Sequence, residues 1–102
     1  MRRTHATISI MRALMDDPTD RHWGYDLGKR AGVRSGVLYP VLRRMLEAGW
    51  LVDGWESADE VAGRPPRRYY ELSGEGFQHF KDELAVAQTD PRFRPAINTG
   101  VL

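Results

Sequence analysis

Apolar residues recur with helical spacing in several stretches of the chain and with strand spacing in a short region near its middle. Across residues 4–15, Ile8, Met11 and Met15 lie on one side, with Ile10 and Leu14 beside them, which predicts a helix with a broad apolar face. Asp16-Asp17-Pro18 ends it, because proline disfavours helical backbone in the residue before it, and residues 19–22 read as a loop. A short helix is predicted over residues 24–31, anchored by Tyr25 and Leu27, with Gly32 where a left-handed C-terminal cap is wanted. After a tight turn, Ser35 is placed to cap a third helix. Here Leu38, Val41, Leu42, Met45 and Leu46 fall at i, i+3, i+4, i+7 and i+8 and form one stripe facing a core. Pro40 is near enough to the start to be tolerated, and Gly49 ends the helix. Residues 51–56 and 67–72 read as two strands of a hairpin, joined by a flexible tip containing Gly63, Pro65 and Pro66. A last helix opens at Ser73-Gly74-Glu75-Gly76, carries the stripe Phe77, Phe80, Leu84 and Ala87, and stops at Asp90-Pro91.

Two short helices on a tight turn, followed by a hairpin, make a winged helix-turn-helix. The expected fold is mainly α (α+β), with a two-stranded β wing and a C-terminal dimerisation helix. Residues 1–72 form the winged helix-turn-helix, 73–90 the last helix, and 91–102 an irregular tail. A chain of 102 residues fits one domain with a modest core. Cysteine is absent, which removes disulfides and thiolate metal sites. No apolar run approaches the roughly 18 residues of a membrane span, and the N-terminal segment does not read as a secretory signal. The expectation is a cytoplasmic protein with no membrane partner.

The net charge of +1 says little, but its distribution says more. Residues 27–46 hold Lys29, Arg30, Arg34, Arg43 and Arg44 without an acid, and residues 61–70 hold Arg64, Arg67 and Arg68, again without one. Of the 15 basic residues all but Lys29 and Lys81 are arginine, which binds phosphate and guanine bidentately. A GC-rich genome produces the same bias, so the acid-free windows carry the argument. In a helix-turn-helix the second helix enters the major groove. Opposite its apolar stripe stand Gly36, Tyr39, Pro40, Arg43 and Glu47, with Arg44 on the flank; Ser35, Tyr39 and Arg43 line up at four-residue spacing, and Arg34 sits just before the helix. Hydroxyls, guanidiniums and the helix N-terminus all suit phosphate. The bland alternative packs Tyr39 on the helix pair and leaves Arg43 solvated. At the hairpin tip Arg64, Arg67 and Arg68 suit a narrow minor groove; alternatively the tip is a solvated turn and Arg68 pairs with Glu56 or Asp53. Phe77, Phe80 and Leu84 are too apolar for a lone peripheral helix, which predicts a partner subunit over them.

Three blocks resemble the PadR family of winged-helix transcriptional regulators: His22-Trp23-Gly24-Tyr25-Asp26-Leu27; Ser35-Gly36-Val37-Leu38-Tyr39-Pro40-Val41-Leu42-Arg43-Arg44-Met45; and Gly49-Trp50-Leu51-Val52. Gly63-Arg64 and Arg67-Arg68-Tyr69-Tyr70-Glu71-Leu72-Ser73 continue the match, which covers roughly residues 6 to 88. The resemblance implies a homodimeric repressor binding double-stranded DNA at a palindromic operator, released in several members by a small aromatic effector. It implies DNA contacts from Ser35, Tyr39, Arg43 and Arg44 and from the wing arginines Arg64 and Arg67, to which the acid-free windows add Arg34 and Arg68 as candidates. It also implies a dimer interface on the last helix helped by the first, here Ile8, Met11, Phe77, Phe80 and Leu84. Val37 stands where the family has threonine, and the last helix is shorter than in many relatives. Phe93, Ile97, Val101 and Leu102 are candidates to pack on a partner in compensation.

His5, His22 and His79 have no ligand spacing, and neither a Ser/His/Asp arrangement nor a phosphate-binding glycine loop is present, so no metal, cofactor or enzymatic activity is expected. Trp23, Trp50 and Trp55 read as core or hairpin packing, or as an aromatic surface for a flat ligand between subunits. Two alternatives to a repressor stay open: a winged-helix ligand-sensing or protein-interaction module without specific DNA binding, and a mobile-element control protein.

Overall fold

Helix α1 (His5–Asp16) begins at Thr4, whose hydroxyl accepts from the Thr7 backbone N–H while Thr7 Oγ1 accepts from the Thr4 N–H. This reciprocal pair satisfies two of the donors that a helix start leaves open. In the computed structural model, which describes residues 1–93, there follow β1 (His22–Trp23), α2 (Gly24–Ala31), α3 (Ser35–Glu47), β2 (Leu51–Trp55), α4 (Ala58–Val61), β3 (Arg68–Leu72) and α5 (Gly74–Thr89). Ile8, Ile10, Met11 and Leu14 of α1, Leu27 of α2, and Leu38, Val41, Leu42 and Met45 of α3 form one buried cluster with Leu51, Tyr70 and Phe80. The predicted stripe of α3 is therefore the face it buries, and its opposite face is left to solvent.

The two-stranded wing of the sequence reading has a third strand. The antiparallel sheet runs β1-β3-β2, with His22 opposite Tyr70 and Trp23 opposite Tyr69, and with Leu51 to Trp55 of β2 paired to Leu72 to Arg68. β1 has two residues, too few to show alternation; it exists because β3 offers it a free edge. His22 is buried there, its Nδ1 accepting from Arg30 Nη2 (2.8 Å) and its Nε2 donating to the Asp17 carbonyl (2.8 Å). The wing tip also differs from a flexible turn. Ser57 and Glu60 form a capping box around the four-residue helix α4, and the chain then reverses through left-handed Ala62 and Gly63.

Two further expectations change. Ser35 is the first residue of α3, and the N-cap is Arg34, which makes no side-chain capping bond. Of the residues assigned to a dimer interface, Ile8, Met11 and Phe80 are 1%, 3% and 0% exposed within the single chain. They are spent on the protomer's own core and have no surface for a partner. Leu84 is half-buried and Phe77 is exposed. Phe93 is likewise buried at home, edge-on to His5, with its carbonyl accepting from Arg12 Nη2 (2.7 Å). Ile97, Val101 and Leu102 lie outside the described residues.

Helix α5 docks where α3 turns into β2. Ser73 caps α5 through the Gly76 N–H, its hydroxyl donates to the Gly49 carbonyl (2.6 Å), and its N–H donates to the Trp50 carbonyl. A Cβ at Gly76 would overlap the Trp50 backbone, so only glycine permits this approach. The Trp50 ring stacks on His79 with centroids 3.8 Å apart and meets Phe80 edge-on.

Candidate nucleic-acid interface

Burial of one side of α3 turns the other side outward with a defined set of groups. Arg34, Ser35, Gly36, Val37, Tyr39, Pro40, Arg43 and Arg44 are all exposed. Among the described residues, Arg34, Arg43 and Arg44 take part in no ion pair. Glu47 lies one turn beyond Arg43 on the same face. The ring of Tyr39 is seated against Gly24, the first residue of α2, where any Cβ would overlap it. The ring therefore packs on the helix pair, while the residue is still 46% exposed. Tyr25, at the start of α2, is 73% exposed, with the Lys29 ammonium 5.4 Å from its ring centroid.

The wing arginines are placed differently. Arg64 Nη1 and Nη2 donate to Glu56 Oε1 (2.8 Å) and Oε2 (3.1 Å). Arg67 donates to the same carboxylate from its backbone N–H (2.9 Å), from Nε and from Nη2 (both 3.3 Å). The Glu56 side chain is 5% exposed, against 42% for Arg64 and 57% for Arg67. These bonds, Arg64's first and Arg67's next, hold the Glu56 carboxyl well below the usual carboxylate range against the opposing effect of burial. Arg68 pairs with Asp53 across the hairpin, one of the two partners foreseen for it. Glu60 of α4 receives Arg21, whose guanidinium also lies 4.0 Å above the Tyr69 ring.

Between wing and helices lies an aromatic cleft of about 350 Å³, walled by Trp23, Tyr25, Tyr39, Trp55 and Tyr70, with Arg67 and Arg68 at its side. Arg67 sits 5.3 Å over the Trp23 ring and Arg68 5.3 Å over Tyr70. Burial pushes the Tyr70 phenol up from its ordinary value. Trp23 Nε1 is buried without a hydrogen-bond partner among the described residues. Trp55, 66% exposed, forms the open rim. Trp50 is elsewhere, just before β2 with its ring stacked on His79 of α5, so the three tryptophans do not share one surface.

The sequence reading missed Tyr25, Val37 and Trp55 as exposed groups flanking the arginines, and Glu56 as their buried partner. Tyr25 was within reach, since it stands nearly opposite buried Leu27 on α2; Val37 was not, since it lies one turn before buried Val41. Glu56 was not, because its burial depends on side chains eight and eleven residues away. Among the described residues no group of His, Asp or Glu is placed to hold a metal ion, and no helix is long and apolar enough to cross a membrane.

The family model described as "Transcriptional regulator PadR-like family" matches residues 19–82. A PadR family transcriptional regulator from Eggerthella lenta is similar in structure, with TM-score 0.63 and 26% identity over 80% of this chain and 73% of that one. A PadR family transcription regulator from Clostridium difficile gives TM-score 0.63 at 24% identity, over 88% of this chain and 90% of that one. No curated protein matches the chain.

Proposed function

We propose that this chain, which belongs to the PadR-like family of transcriptional regulators, is a dimeric repressor that reads a palindromic operator with α3 and braces on the DNA backbone with its wing. The observation that carries this reading is the outer face of α3, where Arg34, Arg43 and Arg44 are exposed and, among the described residues, without ion pairs, beside the hydroxyls of Ser35 and Tyr39. Arg43 and Arg44 suit guanine edges or phosphates in the major groove. Val37, 42% exposed, offers an apolar contact to a thymine methyl where threonine would have offered a hydroxyl. The first N–H groups of α3, left without a side-chain cap, favour a phosphate at its start. Arg64, Arg67 and Arg68 keep exposed donors for the flanking backbone. Selection from a random duplex library tests the reading. Recovery of two inverted half-sites about one helical turn apart, roughly 34 Å, is expected for the wild type and not for Arg43→Ala. Binding without sequence preference would demote the chain to a non-specific module.

The second copy would pack on the flank of α5 that carries Phe77 and Leu84. Phe80 is core, so Phe80→Asp would unfold the chain instead of testing an interface. Phe77→Asp is the appropriate variant and should convert dimers to monomers in light scattering without changing the circular dichroism spectrum. A persistent dimer would move the interface elsewhere. Val86, the other large exposed apolar residue of α5, is nine positions on, which places it about 180° around the helix. A small aromatic effector would find ring-stacking walls in the cleft between Trp55, Tyr39 and Trp23, where it would compete with DNA for the same face.

A further inference from the structure

Glu56 has no place in a list of DNA contacts: it is an acid, it is buried, and it stands just beyond β2 in the part of the molecule offered to a polyanion. Its two oxygens receive Arg64 through a two-nitrogen fork and Arg67 through backbone and side chain together. That is the geometry with which arginines receive a phosphate. The same carboxylate accepts the Arg67 backbone N–H, and the Glu56 N–H donates to the Arg67 carbonyl (3.0 Å), so the bond network closes the wing at its base. Between these anchor points the chain runs through α4 and the left-handed pair Ala62-Gly63, with Val61 turned into the interior. One carboxylate therefore holds both guanidiniums, with Arg64 Nη1 also donating to the Pro65 carbonyl (3.1 Å) and Arg67 lying over the Trp23 ring.

We propose that Glu56 is a positioning residue that sets DNA specificity: an internal stand-in for a phosphate that aims Arg64 and Arg67 and offsets one of their two charges. This rests on the DNA-binding reading above. With the carboxylate present, the three side chains carry one net positive charge and the exposed guanidinium donors point in fixed directions. Non-specific binding follows the number of charges that meet phosphates, whereas specific binding needs those charges in register with bases read elsewhere. Offsetting a wing charge thus lowers affinity for any duplex more than for the one duplex whose backbone fits the aimed donors.

The test measures the binding of wild type, Glu56→Gln and Glu56→Asp to two probes over a range of salt. The probes are the duplex recovered by selection and a random-sequence duplex pool of equal length, with thermal melts run alongside. For Glu56→Gln the pool's dependence of log affinity on log salt should steepen by about one. Pool affinity should rise about threefold for a fourfold drop in salt relative to wild type, and the ratio of selected to pool affinity should fall. Glu56→Asp keeps the charge but falls short of the fork; its salt slope should match wild type while the ratio still falls. A role confined to holding the wing together would lower both affinities in parallel and leave slope and ratio alone, which overturns the proposal. If the glutamine variant does not fold, an unchanged ratio in the aspartate variant overturns it equally. Failure of the DNA-binding reading is distinguishable, because it appears in the wild type as equal affinity for both probes.

Discussion

Helix α3 with its N-cap and the wing each carry three arginines in a stretch of sequence free of acids, yet the fold treats the two sets in opposite ways. Arg34, Arg43 and Arg44 project from a helix whose other face is consumed by the core, and no carboxylate pairs with them among the described residues. Arg64, Arg67 and Arg68 meet Glu56 and Asp53, brought over by β2 as it pairs with β3. A window without acids in sequence is therefore not a region without acids in space. The helix delivers its charge; the wing delivers directed hydrogen bonds with most of its charge already answered. The proposed division into groove reading by α3 and backbone bracing by the wing rests on that difference.

Truncation on the helix is the strongest way to break the comparison. Arg43→Ala should cost about tenfold or more in operator affinity, read by fluorescence anisotropy, while the melting temperature stays put because the side chain is solvated. A loss no larger than that of a wing variant would erase the distinction. Arg64→Ala should be milder, about fivefold, since only a solvent-exposed ion pair with phosphate is lost and Arg67 retains Glu56. Tyr39→Phe should be milder still, about threefold, because the ring remains seated on Gly24 and only the hydroxyl is removed.

Acid sharpens the comparison without any substitution. Glu56 has a lower pKa in the fold than in the unfolded chain, so its ionised form favours the folded wing. That contribution is complete above the ordinary glutamate value of about 4.3 and is lost as pH falls from there toward the folded value. Hydrogen-exchange protection of the Arg67 amide should decline over that interval while the amide of Met45, inside α3, keeps its protection. Glu56→Gln should remove the pH dependence at Arg67.

Local regularity was legible in the sequence; dependence on distant partners was not. The stripe from Leu38 to Met45 predicted which face of α3 is buried because helical periodicity is internal to the segment, and Gly32 predicted its left-handed cap (φ 70°) for the same reason. The strand His22–Trp23 is not legible in the sequence, where the loop over 19–22 gives way to a helix at 24, since two residues have no period and need β3 to define them. Helix α4 did leave a signal, the pattern Ser57-x-x-Glu60 of a capping box, obscured by the glycine and prolines that follow. Phe80, Ile8 and Met11 showed their apolar character but not what covers them. A stripe says that a helix is buried; whether by its own chain or by a partner is decided by the docking of α5 on Trp50, which the backbone of Gly76 permits.

The most direct measurement is a titration of duplex DNA into isotope-labelled protein, following the backbone and arginine Nε–H resonances. The account predicts that Arg34, Ser35, Tyr39, Arg43 and Arg44 shift together, joined by Arg64 and Arg67 with their Glu56 contacts retained, while α1 and α5 stay unmoved apart from any dimer contact. Shifts centred on α5 or α1, with the outer face of α3 silent, would contradict it.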